Sequence, residues 1–260
     1  MVKKTMWYGL LFISLIVSLI LLTGFISTLA ITTTSKKAAT TAPIPPKIVK
    51  LDPNYYNILV MGDSLAKGTG DERGKGFAGY FADSYKSKTP KEIKVNNIAV
   101  NGDVSSGLLK IIQTEQTLNY IKTSSIIFIS IGGNEISQFK NKDVSLSNPE
   151  VKNTEDTYLK NLKEIYKAIR TTNNSCIIIF LGLYNPFGTV ITPDQLKMLN
   201  EWNFQTQQLS SEDINSIFIP TYDLFQYNLA NYLTVDNFHP NSTGYKAISN
   251  RMIESLKNFK

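Results

Sequence analysis

The sequence holds a single histidine, His239, in the stretch DNFHP at residues 236–240. A lone imidazole is more often structural than chemical, but this one stands three positions after Asp236 and directly before Pro240. Asp-x-x-His can bring both side chains onto one turn, where the carboxylate orients the imidazole and stabilises its cation. An imidazole held that way is a general base, and a general base needs a hydroxyl to activate. Ser64, in MGDSLAKG, offers one directly after an apolar run. The negative charge that develops when a serine attacks a carbonyl calls for fixed donors: N–H groups beside glycine and an asparagine amide. Gly102 in AVNGDVSSG and Asn134 in IGGNE supply those types, and the N–H of Ser64 can join them.

What could bring residues so far apart in sequence together is a sheet edge. From residue 55 onward short apolar runs alternate with amphipathic stretches. YYNILVMG, IKVNNIAV, SSIIFISIGG, CIIIFLGLY and SIFIPTYDLF read as five strands. Between them, FAGYFADSYK, SSGLLKIIQ with a second piece reaching about residue 121, NTEDTYLKNLKEIYKAIR, TPDQLKMLNEWNFQTQQLS and NSTGYKAISNRMIESLKNF read as helices. Thr192, Pro193 and Gln195 form a capping-box start for the fourth of these. Strands that alternate with helices, and that are nearly all apolar, predict a parallel sheet covered on both faces, a three-layer α/β/α sandwich. Ligands in such sheets bind beyond the carboxyl ends of the strands. Ser64, Gly102 and Asn134 fall at those ends, and Asp236 and His239 follow the fifth strand. Any one of them could be an ordinary turn residue; four such blocks in register argue for a site. Tyr184, Asn185 and Phe187, after the fourth strand, are candidates to line a substrate pocket, with loop packing as the alternative. Trp202 reads as core.

These blocks, GDSL at 62–65, NGD at 101–103, GGNE at 132–135 and DNFHP at 236–240, resemble the SGNH hydrolases, the GDSL lipase/esterase superfamily. The likeness extends over roughly residues 55–258 and implies a flavodoxin-like fold. It implies Ser64 as nucleophile, His239 as base and Asp236 as orienting acid, with the N–H groups of Ser64 and Gly102 and the Asn134 amide as the oxyanion hole. The third block commonly ends in aspartate in that superfamily; here Glu135 takes the place. The activity so implied is ester hydrolysis through an acyl-enzyme, without metal or cofactor, on a lipid, a lysophospholipid or an O-acylated wall polymer. The alternative is a catalytically inactive module of the same fold that binds wall or lipid ligands.

Other chemistries fit less well. Gly-x-Ser-x-Gly fails at Ala66. In GTGDERGKG the glycine spacing fits neither a phosphate loop nor Gly-x-Gly-x-x-Gly, which breaks at Arg73, so the stretch reads as a flexible loop able to gate the site. One cysteine, Cys176, excludes an internal disulfide and reads as a small buried side chain; one Cys and one His cannot build a zinc site of the usual type. A net charge of +6 fits anionic surfaces, but no basic block interleaved with aromatics points to nucleic acid.

The chain opens with Lys3 and Lys4 ahead of an uncharged apolar run from 7 to 31. That exceeds the roughly 20 residues that span a bilayer and the roughly 7–15 of a signal-peptide core. The expected organisation is therefore a cytoplasmic start at 1–6, a signal-anchor helix at 7–31, a Thr/Ala/Pro-rich linker at 32–54 and the hydrolase domain at 55–260. Lys36 and Lys37 balance the charge across the run, so the expected orientation, domain outside at the cell membrane, rests on the signal-like position of the segment.

Overall fold

The computed structural model describes residues 7, 8, 12, 14–23, 54–185, 187, 190–257 and 259. The chain divides into two compact units, Met1–Ile48 and Val49–Lys260. In the first unit the described residues are helical. Most of the expected linker, and part of the expected anchor at 7–31, lie outside the described residues. Among the described residues no helix is long and apolar enough to cross a membrane.

The second unit is built on five parallel strands: β1 Tyr55–Gly62, β2 Glu92–Asn97, β3 Ile126–Ser130, β4 Ile177–Leu181 and β5 Ser216–Ile219. Their order is β2-β1-β3-β4-β5. Successive strand side chains point to opposite faces, and both faces are buried here. Ile58 and Val60 of β1, Ile126 and Phe128 of β3, and Ile179 and Leu181 of β4 enter one core. Their neighbours Leu59, Met61, Ile127, Ile129, Ile178 and Phe180 enter the other. A one-residue slip of register would exchange the two sets. The expectation of strands buried on both faces fails at β2. It lies at the sheet edge, where Lys94 and Val95 are exposed.

Ten helices, labelled in chain order, cover the sheet among the described residues: α1 Ser64–Lys67, α2 Gly76–Tyr85, α3 Ser105–Ile112, α4 Glu115–Thr123, α5 Gly133–Ser137, α6 Pro149–Thr172, α7 Pro193–Ser211, α8 Tyr222–Gln226, α9 Leu229–Tyr232 and α10 Ser242–Lys257. Leu108, Leu162, Ile165, Met198 and Trp202 bring α3, α6 and α7 onto one face. Phe77, Phe81, Tyr245, Ile248 and Met252 bring α2 and α10 onto the other. Helix α7 begins with the capping box of Thr192 and Gln195. Helix α6 begins earlier than its apolar periodicity suggests, because the Asn148 side chain caps it ahead of Pro149. The fifth strand is only four residues long; Pro220, which has no N–H for the ladder, ends it, and TYDLF turns into α8. Cys176 is buried just before β4, with its thiol accepting from the Arg170 guanidinium at 3.3 Å.

The strand order reverses direction between β1 and β3, and a crevice opens at the carboxyl ends of these two strands, the position where ligands bind in doubly wound sheets.

Candidate active site

Ser64 owes its position to a close approach of backbones. A Cβ on Gly62 would sit 1.8 Å from the Ser130 carbonyl oxygen, and φ there is +126°, so only glycine lets β1 end against β3 in this way. The Asp63 N–H then donates to that same carbonyl at 2.9 Å. Its side chain caps α1 by accepting from the Leu65 N–H at 3.1 Å, and also accepts from the Ser130 hydroxyl at 3.0 Å. Ser64 is therefore the first residue of a four-residue helix that Gly68 terminates in a left-handed conformation. Its N–H has no intrahelical acceptor at that position.

Asp236 and His239 lie in a tight loop between α9 and α10. Leu233 and Pro240 pair antiparallel across its base, and the Thr234 N–H donates to the His239 carbonyl at 2.8 Å. Asn237 takes a left-handed φ of +57°, which asparagine tolerates better than most residues. Asp236 Oδ1 accepts from the N–H groups of Phe238 (2.8 Å) and His239 (2.9 Å) and from the Thr234 hydroxyl (2.6 Å). Its Oδ2 lies 2.7 Å from His239 Nδ1, and His239 Nε2 lies 2.9 Å from Ser64 Oγ. The three side chains thus form one hydrogen-bonded chain, carboxylate to imidazole to hydroxyl. Partial burial opposes ionisation of Asp236, but the bonds from Thr234, His239 and Phe238 outweigh it and hold the carboxyl well below the usual range.

Asn134, the second residue of α5, lines the pocket in front of Ser64. Its amide nitrogen donates to the Asp103 carbonyl at 2.7 Å, which uses one of two hydrogens and leaves the second. Gly102 is exposed in the turn beside Asp103. The second and third blocks are therefore joined through Asn134. Glu135 joins them again: buried, it accepts from the Ser105 N–H at 2.5 Å. Burial raises the carboxyls of both Glu135 and Asp103. Burial likewise pushes Asp63 up to about 7, against hydrogen bonds from Ser130, Leu65 and Ala66 that lower it.

Of the three residues proposed for the pocket, Tyr184 and Asn185 line it. Phe187 does not; it is 2% exposed, within the core on the α6 and α7 side of the sheet, so loop packing is its role. Tyr184 also fastens the histidine loop, its hydroxyl donating to the Phe238 carbonyl. Leu65, Ser130, Leu183 and Phe238 complete the wall. Nothing in their types marks them in the sequence, although each is within two residues of a block or a strand end.

The glycine-rich stretch after α1 is not a flexible gate. Asp71 accepts from the N–H groups of Arg73, Lys75 and Gly76 and from the Tyr80 hydroxyl. Glu72 accepts from both the N–H and the hydroxyl of Ser242 at the start of α10, and those bonds hold its carboxyl at about 2. A Cβ on Gly70 would meet the Pro240 carbonyl oxygen at 2.7 Å and His239 Cβ at 2.8 Å, so this loop forms a wall for the imidazole. Among the described residues no group of three or more His, Cys, Asp or Glu side chains stands where it could hold a metal ion.

A 2-1-3-4-5 parallel sheet with a hydrogen-bonded serine, histidine and aspartate at its carboxyl edge defines the chain as an α/β hydrolytic enzyme of the SGNH kind. Residues 58–252 match the GDSL-like lipase/acylhydrolase family, and the chain belongs to that family of ester hydrolases. It is 32% identical over 208 residues to the protein YpmR of Bacillus subtilis, covering 77% of this chain and 81% of that one. It is 27% identical over 201 residues to the spore germination lipase LipC of Bacillus licheniformis, covering 74% and 92%. Among solved structures, the lipase Lip_vut3 from a goat rumen metagenome superposes with a TM-score of 0.69 at 23% identity, over 77% of this chain and 97% of that one. The acetylxylan esterase Axe2 of Geobacillus stearothermophilus does so with a TM-score of 0.57 at 20% identity, over 77% and 94%. These two structural likenesses bear on the fold.

Proposed function

We propose that this protein is a serine esterase in which Ser64 attacks the ester carbonyl and His239, oriented by Asp236, moves the proton. The observation that carries the reading is the unbroken path of 2.9 Å and 2.7 Å from Ser64 Oγ through the imidazole to Asp236. His239 Nε2 takes the hydroxyl proton as the Oγ–acyl bond forms. The oxyanion is met by the N–H groups of Ser64 and Gly102 and the second hydrogen of the Asn134 amide. Collapse breaks the bond to the leaving oxygen, which receives that proton as an alcohol. Water then attacks the acyl-enzyme, gives a proton to His239, and the acid departs as the proton returns to Ser64. Each ester consumes one water. The strongly ionised Asp236 keeps the Nδ1 proton in place throughout.

The relatives include a lipase, an ester hydrolase. The uncharged run at 7–31 supports a single membrane anchor that holds the domain at the outer face of the membrane. Protease protection of the amino terminus in sealed vesicles, with the domain digested, checks that arrangement.

The direct test is covalent labelling. A fluorophosphonate probe is expected to modify wild-type protein at Ser64, and Ser64→Ala is expected to lose both labelling and ester hydrolysis. Equal hydrolysis by the two proteins would reject the assignment.

A further inference from the structure

We propose that Glu135 is a positioning residue of the oxyanion hole: by holding the Ser105 N–H, it fixes the Asn134 amide toward Ser64. The inference rests on the serine-esterase reading above and deepens it. Asn134 and Glu135 are consecutive residues of α5, and both grip one short segment of chain. The Asn134 amide donates to the Asp103 carbonyl at 2.7 Å, and the Glu135 carboxyl accepts from the Ser105 N–H at 2.5 Å. The first bond alone would leave the amide free to follow its acceptor. The second fixes where that acceptor stands relative to α5, and with it the direction of the amide hydrogen left over. The same segment carries Gly102. Its turn is tied at the start by the Thr69 hydroxyl, which donates to Asn101 Oδ1 at 2.8 Å, and at the end by Glu135. A Cβ on Gly102 would meet nothing within 4 Å, so packing does not hold the turn there.

The start of α3 shows why this bond is more than a helix cap. Ser105 is the first residue of that helix, where an N–H has no intrahelical acceptor. Val104 occupies the N-cap, and its side chain makes no cap bond. A cap alone would be supplied locally by Ser, Thr, Asp or Asn at 104. Here the acceptor comes from another element, as a carboxyl on a residue only 8% exposed. Burial raises that carboxyl, against bonds from Ser105 that lower it, and its Oε2 is buried without a hydrogen-bond partner. An unpartnered buried oxygen costs stability, so a tie drawn from the residue next to Asn134 serves more than the helix end. Ser105 is anchored from its other side as well, its hydroxyl accepting from the Asn161 amide of α6 at 3.0 Å. The donor that Glu135 holds is therefore itself fixed to the body of the domain.

The test is a double-mutant cycle on kcat and KM of the full chain with p-nitrophenyl acetate, with folding checked by circular dichroism. Glu135→Leu removes the acceptor and keeps the bulk. It is expected to lower kcat roughly tenfold to a hundredfold, the scale of a misplaced catalytic group, with little change in KM. Glu135→Gln keeps a carbonyl oxygen for Ser105 and is expected to stay close to wild type in kcat. Ser105→Pro breaks the same bond from the donor side, at the helix position where proline is best tolerated. It is expected to match Glu135→Leu, and it reads the proposal if Glu135→Leu does not fold. The decisive comparison adds either change to Asn134→Ala, where it is expected to lower kcat by no more than about twofold, because the group it positions is already gone. The same factor in both backgrounds overturns this inference alone. So does a Glu135→Gln as impaired as Glu135→Leu, or wild-type kcat once the bond is broken. Absence of any hydrolysis beyond that of Ser64→Ala overturns the proposed function, and this inference with it.

Discussion

Asp63 stands next to the proposed nucleophile and is 4% exposed, yet its charge has no cationic partner among the groups that shift it. Burial moves its carboxyl from an ordinary 3.8 to about 7. Because the folded value lies above the unfolded one, the native state holds a proton that the unfolded chain has released between about pH 4 and 7. Stability therefore falls as pH rises through that window and levels off above it. At about 1.36 kcal/mol per pH unit, the three units involved amount to on the order of 4 kcal/mol. Asp63→Asn isolates the effect. Asparagine caps a helix as well as aspartate does, and its carbonyl oxygen can still accept from Leu65 N–H and Ser130 Oγ, but it does not ionise. Urea unfolding of both proteins at pH 5 to 8, followed by circular dichroism, gives a stability difference in which all other titrating groups cancel. That difference should move in favour of the variant by about 2 kcal/mol between pH 5 and 7 and level off by about pH 8. A difference that does not change with pH would refute the reasoning, because it would mean that Asp63 ionises in the folded protein as it does in the unfolded chain.

Asn134→Ala should lower kcat by roughly a hundredfold to a thousandfold with little change in KM, as expected for a donor that acts on the developing oxyanion; steady-state kinetics on p-nitrophenyl acetate reads this. Gly70→Ala places a methyl group 2.8 Å from His239 Cβ at a φ of +92°. It should cost about 1–3 kcal/mol of stability from backbone strain and reduce kcat more than it raises KM, seen by thermal melts and kinetics together. Glu72 has a folded carboxyl value near 2, below its unfolded one, so the tie to Ser242 is present above about pH 4.3 and lost as pH falls toward 2. The melting-temperature gap between wild type and Glu72→Gln should accordingly be seen at pH 6 and close at the acid end.

Sheet and site were legible to different degrees. Strands β1, β3 and β4 announce themselves because burial on both faces permits only apolar side chains. β2 pairs on one side alone, so Lys94 is tolerated and its periodicity is weak. The run SIFIPTYDLF looks continuous by composition, and Pro220 was the mark of the break. The proposed site residues Ser64, Asn134, Asp236 and His239 stand out by residue type and placement, since ligands bind at the strand ends of this fold. The pocket wall could not: Leu65, Leu183 and Phe238 are ordinary apolar residues whose role arises only from how three loops converge. Phe187 misleads for the same reason, being an aromatic two residues from a true wall residue yet turned into the core. The spacing in GTGDERGKG suggested freedom because glycine permits it, whereas Asp71 and Glu72 within the same stretch remove it.

Carboxylates recur as the fasteners of this site. Asp63 holds the serine turn, Asp71 and Glu72 the glycine-rich loop, Glu135 the start of α3, and Asp236 the histidine loop, each by accepting backbone N–H groups. A site drawn from several loops needs such ties, because a loop has few ladder bonds of its own and positioning is worth much of the catalytic barrier. Asp236, which touches His239, and Glu72, which ties the helix after it, have carboxyls held low. The histidine loop should therefore keep its shape in mild acid, so that a loss of activity there does not come from the loop opening. Near-UV circular dichroism should be the same at pH 5 as at pH 8, and full activity should return at once when the pH is restored. Slow recovery, or a spectrum that changes along with activity, would show instead that the loops come loose first.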